Sequence, residues 1–271
     1  ESCHGSTPHP VDINDRLNAH ADKVACQTCH IPAFARGGKA TKTWWDWSAA
    51  GKKGEDGKPL VKKDAAGNVT YDGMKGDFVW GENLAPEYYW FDGQVRYTLL
   101  GDKIDDSQPV AEINSIRGSF GDPKARIWPF KVMRGKQPYD TENKTLLVSH
   151  LFGKDDDAYW KTYDWDKALR AGMRAAKAIG QTEGDFSGHY GFIETRMYWP
   201  ITHMVAPKEE ALACDSCHSK DGRLAKLTGF YMPGRDANPW IDGIGWLLVF
   251  ATLAGVLLHG LVRLIVGRRQ A

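Results

Sequence analysis

The chain has 271 residues, with 35 Lys and Arg against 34 Asp and Glu and a net charge of +1. That balance excludes the basic field a nucleic-acid partner needs, and the length admits one or two domains. An apolar fraction of 42% with 29 Gly, 13 Pro and 11 Trp describes a loop-rich, aromatic-rich chain.

Residues 1–32 carry the densest chemistry. Cys26-Gln27-Thr28-Cys29-His30 is an unbroken C-x-x-C-H, and it recurs as Cys214-Asp215-Ser216-Cys217-His218. Glu1-Ser2-Cys3-His4 reads as the second half of a third copy, lacking only a Cys before Glu1. In this motif two thiols add across the vinyl groups of a haem and the following His supplies an axial nitrogen to iron. All five cysteines fall in these three copies. Zinc also binds C-x-x-C pairs, but zinc does not explain a His directly after every second Cys. Three haems c are therefore expected, with His4, His30 and His218 as their proximal ligands. A low-spin haem needs a second axial ligand, usually another His, and His9 and His20 are candidates in this segment. Porphyrins would also fill the core that long helices and sheets otherwise supply. Covalent haem attachment takes place outside the bacterial cytoplasm, so the haem region is expected to be exported. The half motif predicts that Glu1 continues a longer protein.

Residues 33–122 change character and read as an aromatic-rich β and loop insertion. Trp44-Trp45-Asp46-Trp47 opens a stretch without Cys or His, and residues 51–57 form a charged, glycine-rich loop. Two hairpins are predicted. One turns at Asp64-Ala65-Ala66-Gly67 between Val61 and Val69, and the other turns at Asp92-Gly93 between Tyr88-Tyr89-Trp90-Phe91 and Val95-Arg96-Tyr97. The ribbons shield haem faces or bind a partner.

Residues 123–235 read as a helical haem-binding segment. Asp164 caps a helix reaching about Ile179, with Trp165, Leu169, Met173 and Ala176 on one stripe and Gly180 at the stop; Gly172 weakens it. His150, in an apolar run, fits a ligand and a core residue equally, whereas the setting of His189 is solvent-like. Pro207 starts a short helix over residues 208–213 that delivers Cys214. His203 lies eleven positions before Cys214 and suits the distal face of a neighbouring haem; Met204 is the poorer ligand.

The tail, residues 240–268, reads as a transmembrane anchor. Residues 243–266 are predominantly apolar, and a helix of that length spans about 36 Å. Trp240 and Trp246 suit the entering interface, and Arg268 and Arg269 follow the apolar run, which puts the C-terminus in the cytoplasm and the haem region in the periplasm. A mean hydropathy of -0.46 over the whole chain leaves room for one anchor. His259 and Arg263 stand one turn apart. They either meet a quinone or a b-type cytochrome subunit, or snorkel to the interface.

The run Leu17-Asn18-Ala19-His20, then Val24-Ala25-Cys26-Gln27-Thr28-Cys29-His30-Ile31-Pro32 and Phe34-Ala35-Arg36, resembles the C-terminal half of octahaem tetrathionate reductase-type cytochromes c. Residues 197–209, from Met197-Tyr198-Trp199-Pro200 through Thr202-His203-Met204 to Lys208-Glu209, followed by Ala213-Cys214 and Gly222-Arg223-Leu224, are similar to that family's last haem segment. The resemblance covers residues 1 to about 235. It implies eight closely packed haems, mostly bis-His ligated, and one catalytic haem with a Lys ligand that reduces tetrathionate, nitrite or hydroxylamine. With only two and a half motifs here, the catalytic haem is expected upstream of Glu1, and no Lys of this chain is assigned to it. The resemblance carries proximal-ligand roles to His4, His30 and His218 and distal-ligand roles to His9, His20 and His203.

The sequence thus predicts a mainly α, loop-rich multihaem cytochrome c with a small β-hairpin insertion and one C-terminal transmembrane helix. Its expected role is electron relay in a membrane-anchored periplasmic oxidoreductase acting on a sulfur oxyanion or nitrogen oxide. Partners would be other haem-bearing segments or subunits, a quinone-reactive or cytochrome b subunit and a small inorganic substrate. Two rivals stand: an oxidase of hydroxylamine-like or reduced sulfur compounds, and a non-catalytic haem wire. Three haems need three distal ligands and five uncommitted soluble His are present (His9, His20, His150, His189 and His203), which favours a relay.

Overall fold

The computed structural model describes residues 4–5, 7–10 and 15–269. The chain divides into two compact units, Glu1–Leu212 and Ala213–Ala271. In the first, the strands in chain order are β1 Thr41–Asp46, β2 Val61–Lys63, β3 Val69–Asp72, β4 Gly76–Gly81, β5 Glu87–Phe91, β6 Val95–Tyr97, β7 Val110–Glu112, β8 Asn114–Ile116, β9 Arg126–Asp140, β10 Thr145–Leu146 and β11 Tyr190–Pro200. Its helices are α1 Asp15–His20, α2 Cys26–His30, α3 Tyr159–Thr162 and α4 Trp165–Ala178.

Nine strands join one mixed sheet in the order β2-β3-β4-β1-β9-β11-β7, with β5 and β10 also paired to β9. The β1–β9 and β11–β7 pairs are parallel and the others antiparallel. The spine is the β9–β11 ladder, in register from Tyr190 opposite Asp140 to Pro200 opposite Phe130.

This corrects the expected fold class. The chain is 25% helix and 26% strand, around a large sheet, and is not mainly α. The decisive element is β9, which lies in the segment 123–235 read as helical. Pro129, Gly135 and Pro138 hide it, because each is a breaker in both helix and strand patterns. The structure accommodates them one by one. The Pro129 carbonyl accepts from Ile201 N, so its missing N–H points to the β11 side, one residue outside that ladder. Pro138 lies in the gap between the stretches of β9 paired to β1 and to β10. At Gly135 a Cβ would come within 2.6 Å of the Trp45 carbonyl oxygen, so the approach of β1 requires glycine.

Most strands of 33–122 are built into the sheet with β9 and β11, and only β6 and β8 lie outside it. The β2–β3 hairpin is as expected. The second one is not: β5 pairs with β9, while β6 pairs with β8 in a separate ribbon. In place of a helix over 208–213 there is one 3₁₀ turn, Lys208–Glu210.

The helix α4 matches its sequence reading. The Asp164 carboxylate accepts from Lys167 N at 3.1 Å as the N-cap, and Ala168, Leu169, Met173 and Ala176 are buried. Gly172 is there for packing, because a Cβ would fall 2.2 Å from the Val148 carbonyl oxygen. The strands β5, β9 and β11 carry a hydrophobic core of Phe91, Phe130, Val132 and Tyr198, flanked by Tyr89 and Trp128.

The second unit contains a 3₁₀ turn at Cys214–Ser216, a run of turns, and the helix α5, Pro239–Arg269. Asn238 caps α5 by accepting from Trp240 N and Ile241 N, with Pro239 at the first helical position. Pro239–Val266 has a mean hydropathy of 2.1, none of its most apolar window is buried, and it is long and apolar enough to cross a membrane.

Candidate haem sites

The first complete motif is the one-turn helix α2. It is pinned to the start of β9. Val24 bridges Ile127, Ala25 N donates to the Ile127 carbonyl at 3.0 Å, and the fully buried Thr28 hydroxyl donates to the same carbonyl at 2.7 Å. Fixing Thr28 inward leaves Cys26 exposed and Cys29 half-buried on the other side of the turn. Neither sulfur is in a disulfide, and the same holds for Cys214 and Cys217.

The two stretches that carry the family resemblance meet here. The His30 carbonyl accepts from Ala206 N at 2.8 Å, the Cys29 carbonyl accepts from Leu212 N at 3.0 Å, and Arg36 pairs with Glu210 at 2.7 Å. The segment bearing His203 therefore arches over the end of α2. His203 is exposed, and Met204 beside it takes a left-handed turn at φ +68.

His9 lies opposite His30, with ring centres 6.4 Å apart and planes within 12°. Two imidazoles gripping one metal ion from opposite sides at the usual metal–nitrogen distance of about 2 Å leave their ring centres roughly 6 Å apart. The His9 Nδ1 is buried and has no hydrogen-bond partner among the described residues. The His9 backbone is held by a reciprocal pair of bonds at 3.0 Å, from its N–H to Asn18 Oδ1 and from Asn18 Nδ2 to its carbonyl. Burial, and then the like charges of His9 and His4, push His30 below the ordinary histidine range, which favours the neutral ring that ligates iron. These residues fit a haem c.

Two other histidines are prepared in a different way, through a bond at Nδ1. His20 Nδ1 bonds to the Arg16 carbonyl at 2.5 Å, and His218 Nδ1 bonds to the Pro233 carbonyl at 2.9 Å. A carbonyl only accepts, so in each ring the proton sits on Nδ1 and the lone pair on Nε2, as in metal-ligating histidines. His4 is exposed, and Cys3 lies outside the described residues. His150 is differently placed. Its Nε2 lies 3.0 Å from Asp155, and none of its hydrogen bonds reaches an attachment motif. His189 pairs with Glu142 at 3.4 Å.

Among the described residues no three His, Cys, Asp or Glu side chains converge as a protein metal cage would require. A haem needs no such cage, because its porphyrin brings four of the six iron ligands. Sequence reading passed over Thr28, Asn18 and Arg235. Their roles lie in tertiary bonds; Thr28 and Asn18 stood inside stretches already singled out, whereas Arg235 did not.

Attachment turns with prepared axial histidines define a c-type cytochrome that works by electron transfer. Residues 42–221 match the family described as bacterial cytochrome c, and the chain belongs to that family. It is also similar to the octahaem cytochrome c from Shewanella oneidensis, with 39% identity over 89% of this chain and a TM-score of 0.76. The chain spans 51% of the length of that structure. No curated protein matches the sequence. Heme c is the cofactor of this family, and its haem region is extracytoplasmic.

Proposed function

We propose that this chain is the electron-relay and anchoring part of a periplasm-facing multihaem oxidoreductase. Three haems c attach at Cys3, at Cys26 and Cys29, and at Cys214 and Cys217, with His4, His30 and His218 as proximal ligands. His9 is the second ligand of the His30 haem, while His20 and His203 serve other irons. The observation that carries this reading is the 6.4 Å, near-parallel pairing of His9 with His30. Each bound haem supplies one-electron iron chemistry, and the protein tunes it through axial donors, burial and nearby charge. Five uncommitted soluble histidines are present for the three distal positions such haems would need, which supports a relay role.

The helix α5 holds the haem region to the bacterial inner membrane as a single pass, with its C-terminus in the cytoplasm. Its support is a long, apolar, unburied span followed by Arg268 and Arg269. A quinone-reactive membrane subunit exchanges electrons with the chain. Reduction of a sulfur oxyanion or nitrogen oxide occurs at a haem contributed by another part of the assembly. The support for that step is the family likeness and the half-length coverage.

The test is His9→Ala in the haem-loaded protein, followed by low-temperature EPR. One low-spin signal should be replaced by a high-spin one with haem content unchanged. An unaltered spectrum would sink the His9 assignment.

A further inference from the structure

The chain after His218 folds back and holds it. His218 Nδ1 donates to the Pro233 carbonyl, and the next residue, Gly234, has φ +83 and no room for a side chain. A Cβ there would fall 2.3 Å from the His218 carbonyl oxygen. Residues 233–234 are therefore fitted against His218, and one side chain gathers the segment around them.

That side chain is Arg235, only 9% exposed. Its Nη1 donates to the Leu224 carbonyl at 3.1 Å and to the Leu227 carbonyl at 2.5 Å, and its Nη2 donates to the Phe230 carbonyl at 2.9 Å. Nε and Nη2 also pair with Asp236 at 2.8 and 2.7 Å, and Asp236 Oδ2 accepts from Met232 N at 2.7 Å. One guanidinium thus gathers residues 224–236 into a knot. Only a planar fork with five donors can fan out over three carbonyls and a carboxylate; an ammonium cannot. The helix α5 begins three residues after Asp236.

We propose that Arg235 is a positioning residue for the haem held by Cys214, Cys217 and His218. It presses the Pro233 carbonyl onto His218 Nδ1 and so sets the orientation and basicity of the axial imidazole. The inference rests on the reading of His218 as a haem ligand. A carbonyl accepting from Nδ1–H makes the ring a stronger donor at Nε2 and fixes its rotation. Axial donor strength is one of the levers that sets haem potential. Releasing the knot weakens the donor, so the haem becomes easier to reduce.

The experiment uses the full, haem-loaded protein with Arg235→Ala, Arg235→Lys and Asp236→Asn, read by potentiometric titration and EPR. Arg235→Ala should raise the potential of one haem and change one set of low-spin g values, leaving the His30 haem as it was. Arg235→Lys, which keeps the charge but not the fan, should fail to restore either. Asp236→Asn keeps the shape and loosens the clasp, so it should give a smaller shift in the same direction. It also carries the test should Arg235→Ala not mature. Wild-type potentials and g values in variants with full haem content would overturn the proposal. Peptide mass analysis finding no haem on Cys214 and Cys217 of the unmutated protein would instead overturn the haem reading beneath it.

Discussion

The turn at Cys26–His30 is bolted to the end of the longest strand of a nine-stranded sheet. The unit containing Cys214 to His218 has no strand among its described residues, and its knot hangs on one buried guanidinium. The same five-residue chemistry is thus mounted in two ways. A sheet mount spreads its load over the β9–β11 ladder, two backbone bonds and Thr28, so no single polar contact is decisive. A knot mount concentrates the load, and one substitution can release it. The first mount should yield mainly to damage in the core, the second to the loss of Arg235.

The largest effect expected on the sheet side is that of Phe130→Ala. Phe130 is fully buried and packs edge-on against Tyr89, Phe91 and Tyr198. Truncation should cost about 3–5 kcal/mol through lost burial and a cavity, measured by denaturant unfolding. EPR should show the His30 haem disturbed and the His218 haem unchanged. Equal disturbance of both would break the comparison.

Asp140 closes the other end of β9. It is fully buried and accepts from the backbone of Glu142, Asn143 and Ser187 and from the Ser187 hydroxyl and the Asn143 amide. Burial alone would raise its pKa, but these bonds outweigh it and hold the carboxyl below the ordinary value of 3.8. A depressed folded value contributes stability that is fully present above about pH 4 and is lost as pH falls through the folded pKa. Asp140→Asn should therefore cost about 2 kcal/mol at neutral pH and flatten the acid limb of a stability–pH curve. An unchanged acid limb would contradict the assignment.

The helix α4 and the β2–β3 hairpin were legible because their signals are local: a capping Asp164 with a 3.6-residue stripe, and a four-residue turn between short strands. The spine was not, because Pro129, Gly135 and Pro138 are explained only by neighbours distant in sequence. Asp92-Gly93 misled for the same reason, since β5 finds its partner 35 to 43 positions away, from Phe91 opposite Arg126 to Glu87 opposite Phe130. The C-x-x-C-H runs were legible as motifs because thioether chemistry needs its residues adjacent. The pairing of His9 with His30 was not, because spacing leaves it among several candidates.

Thr28 and Ser216 occupy the same place in the two motifs, which allows a matched pair. Thr28→Val removes a buried hydroxyl whose acceptor, the Ile127 carbonyl, keeps its bond from Ala25 N. The cost should be about 1 kcal/mol. Ser216 is half-buried, and what it contributes is its carbonyl, which accepts from Arg223 N at 2.8 Å. Ser216→Ala keeps that bond and should change stability by less than about 0.5 kcal/mol. Denaturation midpoints of the two variants would settle this, and a larger loss for Ser216→Ala would reverse the picture of which turn is held by its own side chain.

The smallest effect should come from the most conspicuous contact between the two resemblance stretches. Arg36 meets Glu210 at 2.7 Å, but the two side chains are 30% and 53% exposed. Such a pair gains little in water and pays side-chain entropy, so it contributes a few tenths of a kcal/mol and less at high salt. The bonds from Ala206 N and Leu212 N to α2 hold the segment carrying His203 without it. Arg36→Ala should therefore leave both the unfolding midpoint and the EPR spectrum close to wild type, with the residual loss vanishing in molar salt. A salt-sensitive change in a haem signal would instead mean that this ion pair, rather than the backbone, sets the position of His203.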